Sequence, residues 1–167
     1  KEGVTEKVTL PHTWNAVDGQ SASDYYRGEC TYTKKFAKPE LKSGEQLYLE
    51  INGANSSSKV SLNGKLLASH DGGYSTYRVN LTGELLDENE LQIKVDNSPN
   101  DHVYPQKADF TFYGGLYRDV KLITVPESHF DLDYYGGKGF YVTPEIKEDG
   151  SAEVQFDAYV RGDADEV

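Results

Sequence analysis

An all-β sandwich is the fold class this sequence predicts, and three observations predict it. Apolar residues recur at every second position in several stretches, the period of a strand with one face buried. Asn63-Gly64 interrupts one of these runs with the two residues that best tolerate the positive φ angles of a tight hairpin turn. A 3.6-residue apolar period is sustained nowhere.

The elements follow in chain order. A long loop covers about residues 11–27, rich in Trp and Tyr and therefore expected to be ordered. "GECTYTKKF" reads as a strand, with Cys30 as a packed structural thiol within it. "QLYLEI" places Leu47, Leu49 and Ile51 on one face. "KVSLNGKLLAS" alternates at Val60 and Leu62 and then turns at Asn63-Gly64. "LTGELLDENE" has room for one short helical turn after Thr82. "ELQIKV" alternates through Leu91, Ile93 and Val95, and a second long loop spans about residues 96–113. "RDVKLI" alternates with Val120 and Leu122. Val125-Pro126 closes that run, which divides the chain into residues 1–125 and 126–167. The second part has room for two or three strands, with Val154, Phe156 and Ala158 alternating in "AEVQFDAYV". A self-sufficient sandwich needs about seven strands, so this part reads as the truncated opening of another β-domain that leaves apolar surface to be covered.

Composition narrows the function classes. The 167 residues carry a formal net charge of −11, which disfavours nucleic acid and anionic membrane surfaces as partners. No apolar run approaches the roughly 18 residues of a membrane span. One cysteine forms neither an internal disulfide nor a zinc cluster by itself. No methionine occurs, so the chain is expected to be part of something longer or processed. The compartment stays open between the cytoplasm and periplasm of a bacterium.

Motifs of familiar chemistry are missing. No paired His or Cys has metal-ligand spacing, no glycine-rich loop fits a phosphate, and His12, His70, His102 and His129 adjoin no serine elbow. No metal, cofactor or catalytic residue is therefore assigned. What remains are loops mixing rings with polar groups: Trp14, Asn15 and Asp18; Tyr25, Tyr26 and Arg27; His70, Gly72-Gly73 and Tyr74; and Asp96, Asp101, His102, Tyr104 and Asp109. Such sets suit sugars. A ring offers an apolar face to sugar C–H groups, and a carboxylate accepts pairs of hydroxyl hydrogen bonds. The same residues also serve as core aromatics and turn caps in many domains.

In order along the chain, "LPHTWN", "YYRG", "V.LNG..L..H.GGYS.Y", "N.L.V.VDNS" and "DF..YGGLYRDV.L" resemble the N-terminal sugar-binding domain of glycoside hydrolase family 2, over about residues 7–125. The tail resembles the opening of the immunoglobulin-like domain that follows it. The resemblance implies a jelly-roll sandwich, galactose-binding-domain-like, that is itself non-catalytic. It also implies a retaining parent glycosidase whose two glutamates lie in a TIM barrel further along, with carboxyls about 5–5.5 Å apart. Asp109 matches the family's acid that reaches from this domain into the barrel's pocket. Phe110, Phe112 and Tyr113 would wedge its loop there, and Gly114 and Gly115 would turn the backbone into the sandwich. Arg118 is expected to pair with a buried acid. Asn15 and Asp101 are further candidates for the pocket. "GGYS" and "YGGLYR" stand closer to β-galactosidases than to glucuronidases, so a β-galactoside is the expected ligand, with the parent's other domains as partners. A free-standing carbohydrate-binding module and a structural interaction domain are the alternatives.

Overall fold

The computed structural model describes residues 3–18, 25–106 and 108–163. Its strands are β1 (Glu29–Ala37), β2 (Gln46–Ile51), β3 (Ser57–Leu62), β4 (Lys65–Asp71), β5 (Tyr77–Asn80), β6 (Glu88–Asp96), β7 (Val120–Val125), β8 (His129–Phe130), β9 (Phe140–Ile146), β10 (Ala152–Ala158) and β11 (Val160–Arg161). A 3-10 turn, Thr82–Glu84, stands where the short helical turn is expected.

Two antiparallel sheets form the jelly-roll sandwich, in the orders β1-β6-β3-β4 and β5-β2-β7. Alternation decides what they enclose. Leu47, Leu49 and Ile51 of β2 meet Val60 and Leu62 of β3 and Leu91, Ile93 and Val95 of β6 in one core. Each buried side chain of this kind contributes roughly 1.5–3 kcal/mol over its exposed state. The β3–β4 hairpin turns on Asn63 and Gly64, with φ of 52° and 84°. Leu122 departs from expectation. Its register partner is Leu49, so it shares the core face, but β7 is an edge strand and Leu122 stays 42% exposed.

Beyond Pro126 the chain forms four strands rather than two or three, because β8 and β11 are only two residues each and pair with one another. β9 and β10 make a separate hairpin. Its apolar residues find no cover among the described residues: Val142, Val154 and Phe156 are each more than half exposed. This segment is tied to the sandwich by Arg78. Its guanidinium pairs with Glu50 at 2.7 Å and donates to the carbonyls of Leu132 and Gly137.

Candidate functional site

The two long loops meet at one end of the sandwich, and asparagine side chains join them. Asn15, 1% exposed, uses both donors and its acceptor. Its Nδ2 donates to Asp18 Oδ2 at 2.7 Å and to the Tyr26 carbonyl at 3.0 Å. Its Oδ1 accepts from the Gly114 N–H at 2.8 Å and from Asn97 Nδ2 at 3.3 Å. Asn97 Oδ1 accepts the Gly28 N–H. From the other side, Asn55 exchanges backbone hydrogen bonds with Gly115 and donates through Nδ2 to the Tyr113 carbonyl. Thr13 Oγ1 donates to the Gly114 carbonyl at 2.7 Å. The C-terminal foot of the aromatic loop is thus fixed from three directions.

The glycine pair answers to crowding as well as to turning. A Cβ on Gly114 would lie 2.5 Å from Asn97 Nδ2 and 2.6 Å from the Trp14 ring. Gly115 has φ +111°, and a Cβ there would lie 2.5 Å from the Tyr32 hydroxyl. Only glycine meets both conditions without displacing neighbours.

Above this foot the loop stands out from the body. Phe112 is the buried peg at 9% exposure, and Phe110 rests on it with ring centroids 4.7 Å apart. Phe110 and Tyr113 are 58% and 46% exposed. Asp109 is exposed, and its carboxylate accepts no hydrogen bond from any described residue. Asp101 is exposed as well, and no hydrogen bond joins it to Asp109 or Asn15. The expected residues therefore divide. Asn15, Phe112, Gly114 and Gly115 form the support, whereas Asp109, Asp101, Phe110 and Tyr113 present themselves outward.

Arg118 corrects the expectation of an acid partner. It donates to the carbonyls of Tyr74 (2.9 Å) and Asn52 (3.4 Å), and its guanidinium carbon lies 5.3 Å from the Tyr117 ring centroid. A turn with free carbonyls offers the guanidinium fork as good a seat as a carboxylate would. Tyr117 donates to the Gly73 carbonyl, so the "GGYS" and "YGGLYR" stretches lock together. A part-buried acid of this domain, Glu50, belongs to Arg78.

Asn55 and Asn97 are braces of these loops that sequence reasoning missed. "NGANSSS" and "VDNS" look like ordinary turns, and nothing local distinguishes an asparagine that crosses to another loop. His70 Nε2 lies 2.9 Å from Ser75 Oγ, but that pair is exposed and the ring stacks on Tyr77 at 4.1 Å. No group of three or more metal-ligating side chains occurs among the described residues.

Paired antiparallel sheets of four and three strands, with ring-bearing loops gathered at one end, define a galactose-binding-like β-sandwich domain. Comparison with known proteins makes this specific. The family profile of the glycosyl hydrolase 2 galactose-binding domain-like domain matches residues 15–127, and the chain belongs to that family. It is 35% identical over 157 residues to a β-glucuronidase of Bacteroides fragilis, covering 92% of this chain and 22% of that protein. It is 26% identical to a β-galactosidase of Thermoanaerobacter pseudethanolicus, covering 94% and 21%. The crystal structure of an FMN-binding β-glucuronidase from Facaelibacterium prausnitzii L2-6 superposes with a TM-score of 0.89 at 45% identity, covering 98% of this chain and 26% of that one. The chain thus spans about a quarter or less of these relatives' lengths. They carry both names, so the sequence forms that favour β-galactosidases do not by themselves separate the two sugars.

Proposed function

We propose that this chain is the N-terminal, non-catalytic part of a family 2 β-glycosidase and lends the Asp109 carboxylate to a sugar pocket completed by the parent's barrel. The single observation that carries the reading is an exposed carboxylate without a partner among the described residues, on a loop whose C-terminal foot is buried and cross-braced. A carboxylate placed this way costs nothing to redirect, because no internal bond has to break before it accepts sugar hydroxyls. Its work is orientation and hydrogen bonding that strengthens in the transition state, while the barrel's two glutamates carry proton transfer and the covalent step. Phe110 and Tyr113, exposed beside it, cover the loop where the barrel docks. Residues 126–167 open a second, immunoglobulin-like sandwich whose remaining strands cover Val154 and Phe156. The glycone is a β-glucuronide or a β-galactoside, a choice made by groups outside this domain.

The test uses the full-length parent. Asp109→Asn lowers kcat/KM about 100-fold on the preferred one of 4-nitrophenyl β-D-glucuronide and β-D-galactoside, as loss of one strong transition-state contact does. The melting temperature stays put, and Asp101→Asn is silent. Unaltered kinetics in Asp109→Asn would refute the proposal, and a loss confined to Asp101→Asn would move the role to that residue. The 167-residue chain alone binds neither sugar appreciably. Micromolar binding by it would instead identify a self-sufficient carbohydrate-binding module.

A further inference from the structure

The C-terminal foot of the Asp109 loop is braced by Asn15, Asn55 and Thr13, but the N-terminal approach is held differently. Residues 100–106 close on themselves. Gln106 Nε2 donates to the carbonyls of Val103 (2.8 Å) and Asn100, and Gln106 Oε1 accepts the Asn100 N–H. Asn100 Oδ1 accepts the N–H groups of His102 and Val103 at 2.9 Å each. A knot of this kind keeps its shape without having a fixed place on the body. Among the described residues, apart from the bond of Asn100 Nδ2 to the adjoining Ser98 carbonyl at 3.3 Å, one hydrogen bond places it: Arg27 Nη2 donates to the Gln106 carbonyl at 2.8 Å. The remaining ties are apolar, through the buried Val103 and Phe112.

We infer that Arg27 is a positioning residue for Asp109, an inference that rests on Asp109 being the sugar-facing acid. Arg27 ends the first long loop, two residues before β1 begins. Its guanidinium carbon lies 5.5 Å from the Tyr25 ring centroid, and both side chains line a small cavity of about 20 Å³ together with Asn97, Val103, Gln106 and Phe112. The planar head is thereby aimed before it bonds, and a charged donor on a carbonyl is roughly twice as strong as a neutral one. Gln106 precedes Asp109 by three positions, and Phe112 follows it by three. The carboxylate thus rides on a short span pinned at Gln106 by Arg27 and at Phe112 by burial. Releasing one pin lets it wander, and a displacement of about 1 Å at a positioned group costs about 100-fold in rate.

The experiment is a double-mutant cycle in the full-length parent with Arg27→Met, Arg27→Lys, Asp109→Asn and Arg27→Met/Asp109→Asn. Arg27→Met is expected to lower kcat/KM about tenfold, within what loss of positioning costs. Arg27→Lys restores part of it, and stands in should the methionine variant fail to fold. In the Asp109→Asn background the Arg27 change costs nothing further, because the carboxylate it places is gone. Amide exchange over residues 108–113 rises in Arg27→Met and stays unchanged in β2 and β6. A silent Asp109→Asn sinks the sugar-facing reading and this inference with it. An effective Asp109→Asn combined with additive Arg27 losses, or with unchanged exchange over 108–113, overturns the role of Arg27 alone.

Discussion

Asn15 and Gly114 stand 99 positions apart in the chain, yet the Asn15 side-chain oxygen accepts the Gly114 N–H at 2.8 Å. That bond closes the two long loops on one another, and Asn15 spends its other capacity on Asp18, Tyr26 and Asn97. Asn15→Ala strands several buried polar groups at once. It should destabilise the domain by about 2–4 kcal/mol, read from urea unfolding, since each orphaned group costs about 1–3 kcal/mol. Asn15→Asp is a sharper probe. It sets a second carboxylate against Asp18, so its deficit should be large near neutral pH and shrink as acid lets the pair share a proton. An Asn15→Asp deficit independent of pH would mean that Asp18 is not the partner it is taken to be.

Three glycines with different surroundings separate crowding from backbone conformation. Gly64 has φ +84° and open space around its missing Cβ. Gly64→Ala should cost only the left-handed penalty, about 1–2 kcal/mol. Gly115 combines φ +111° with a Cβ position 2.9 Å from the His12 carbonyl oxygen, a backbone atom that cannot step aside. Gly114 has no such φ, but the Trp14 ring and Asn97 fill its space. Gly115→Ala should therefore cost several kcal/mol, with Gly114→Ala close behind, because overpacking adds about 1–3 kcal/mol. Equal melting temperatures for the alanine variants at 64 and 115 would contradict this ranking.

The strands were legible because burial imposes a period. Leu47, Leu49, Ile51, Val60, Leu62, Leu91, Ile93 and Val95 alternate in the chain and all lie in the core. The Asn63-Gly64 turn was equally legible, since its φ angles depend on those two residues alone. What lay beyond reading was non-local. Leu122 carries the right period, but its exposure follows from β7 being an edge. Arg118 and Arg78 look alike in sequence, and only the tertiary fold gives the part-buried Glu50 to Arg78. At the candidate site the family pattern pointed to the loop bearing Asp109. Its braces, Asn55, Asn97 and Arg27, lie on other segments of the chain.

Arg78 carries a prediction of its own. Its side chain is 8% exposed and that of Glu50 17%, so the pair is largely removed from water. Removing one member of such a pair leaves a buried charge without compensation, at about 3–5 kcal/mol. Arg78→Ala also deprives the Leu132 and Gly137 carbonyls of their donor. Thermal unfolding should show the loss, and amide exchange over residues 131–137 should accelerate more than in β3. Arg78→Lys should recover little, because one ammonium cannot serve Glu50 and both carbonyls in a fork. If exchange over 131–137 stayed at its original rate, Arg78 would not be what ties this segment to the sandwich.

Alkaline pH tests the core from a different direction. Burial pushes the Tyr77 hydroxyl up to about 12, opposed by its hydrogen bond to Ser58 at 2.6 Å. Burial likewise pushes Tyr32 up to about 12, opposed by its bond to the Leu116 backbone. In the unfolded chain both titrate near the ordinary tyrosine value of about 10. Below that pH both states hold the protons and stability is unaffected. Above it the unfolded chain sheds protons that the folded chain keeps, so stability falls as pH rises from about 10 through about 12. Tyr77→Phe begins less stable by about 1–3 kcal/mol, because the Ser58 hydroxyl is left buried without its partner. Its stability should nevertheless decline less steeply over that window, as should that of Tyr32→Phe. The measurement is urea unfolding at a series of pH values, with tyrosinate absorbance followed in parallel. Slopes identical to that of the parent sequence would show that neither hydroxyl keeps its proton in the folded state longer than in the unfolded one.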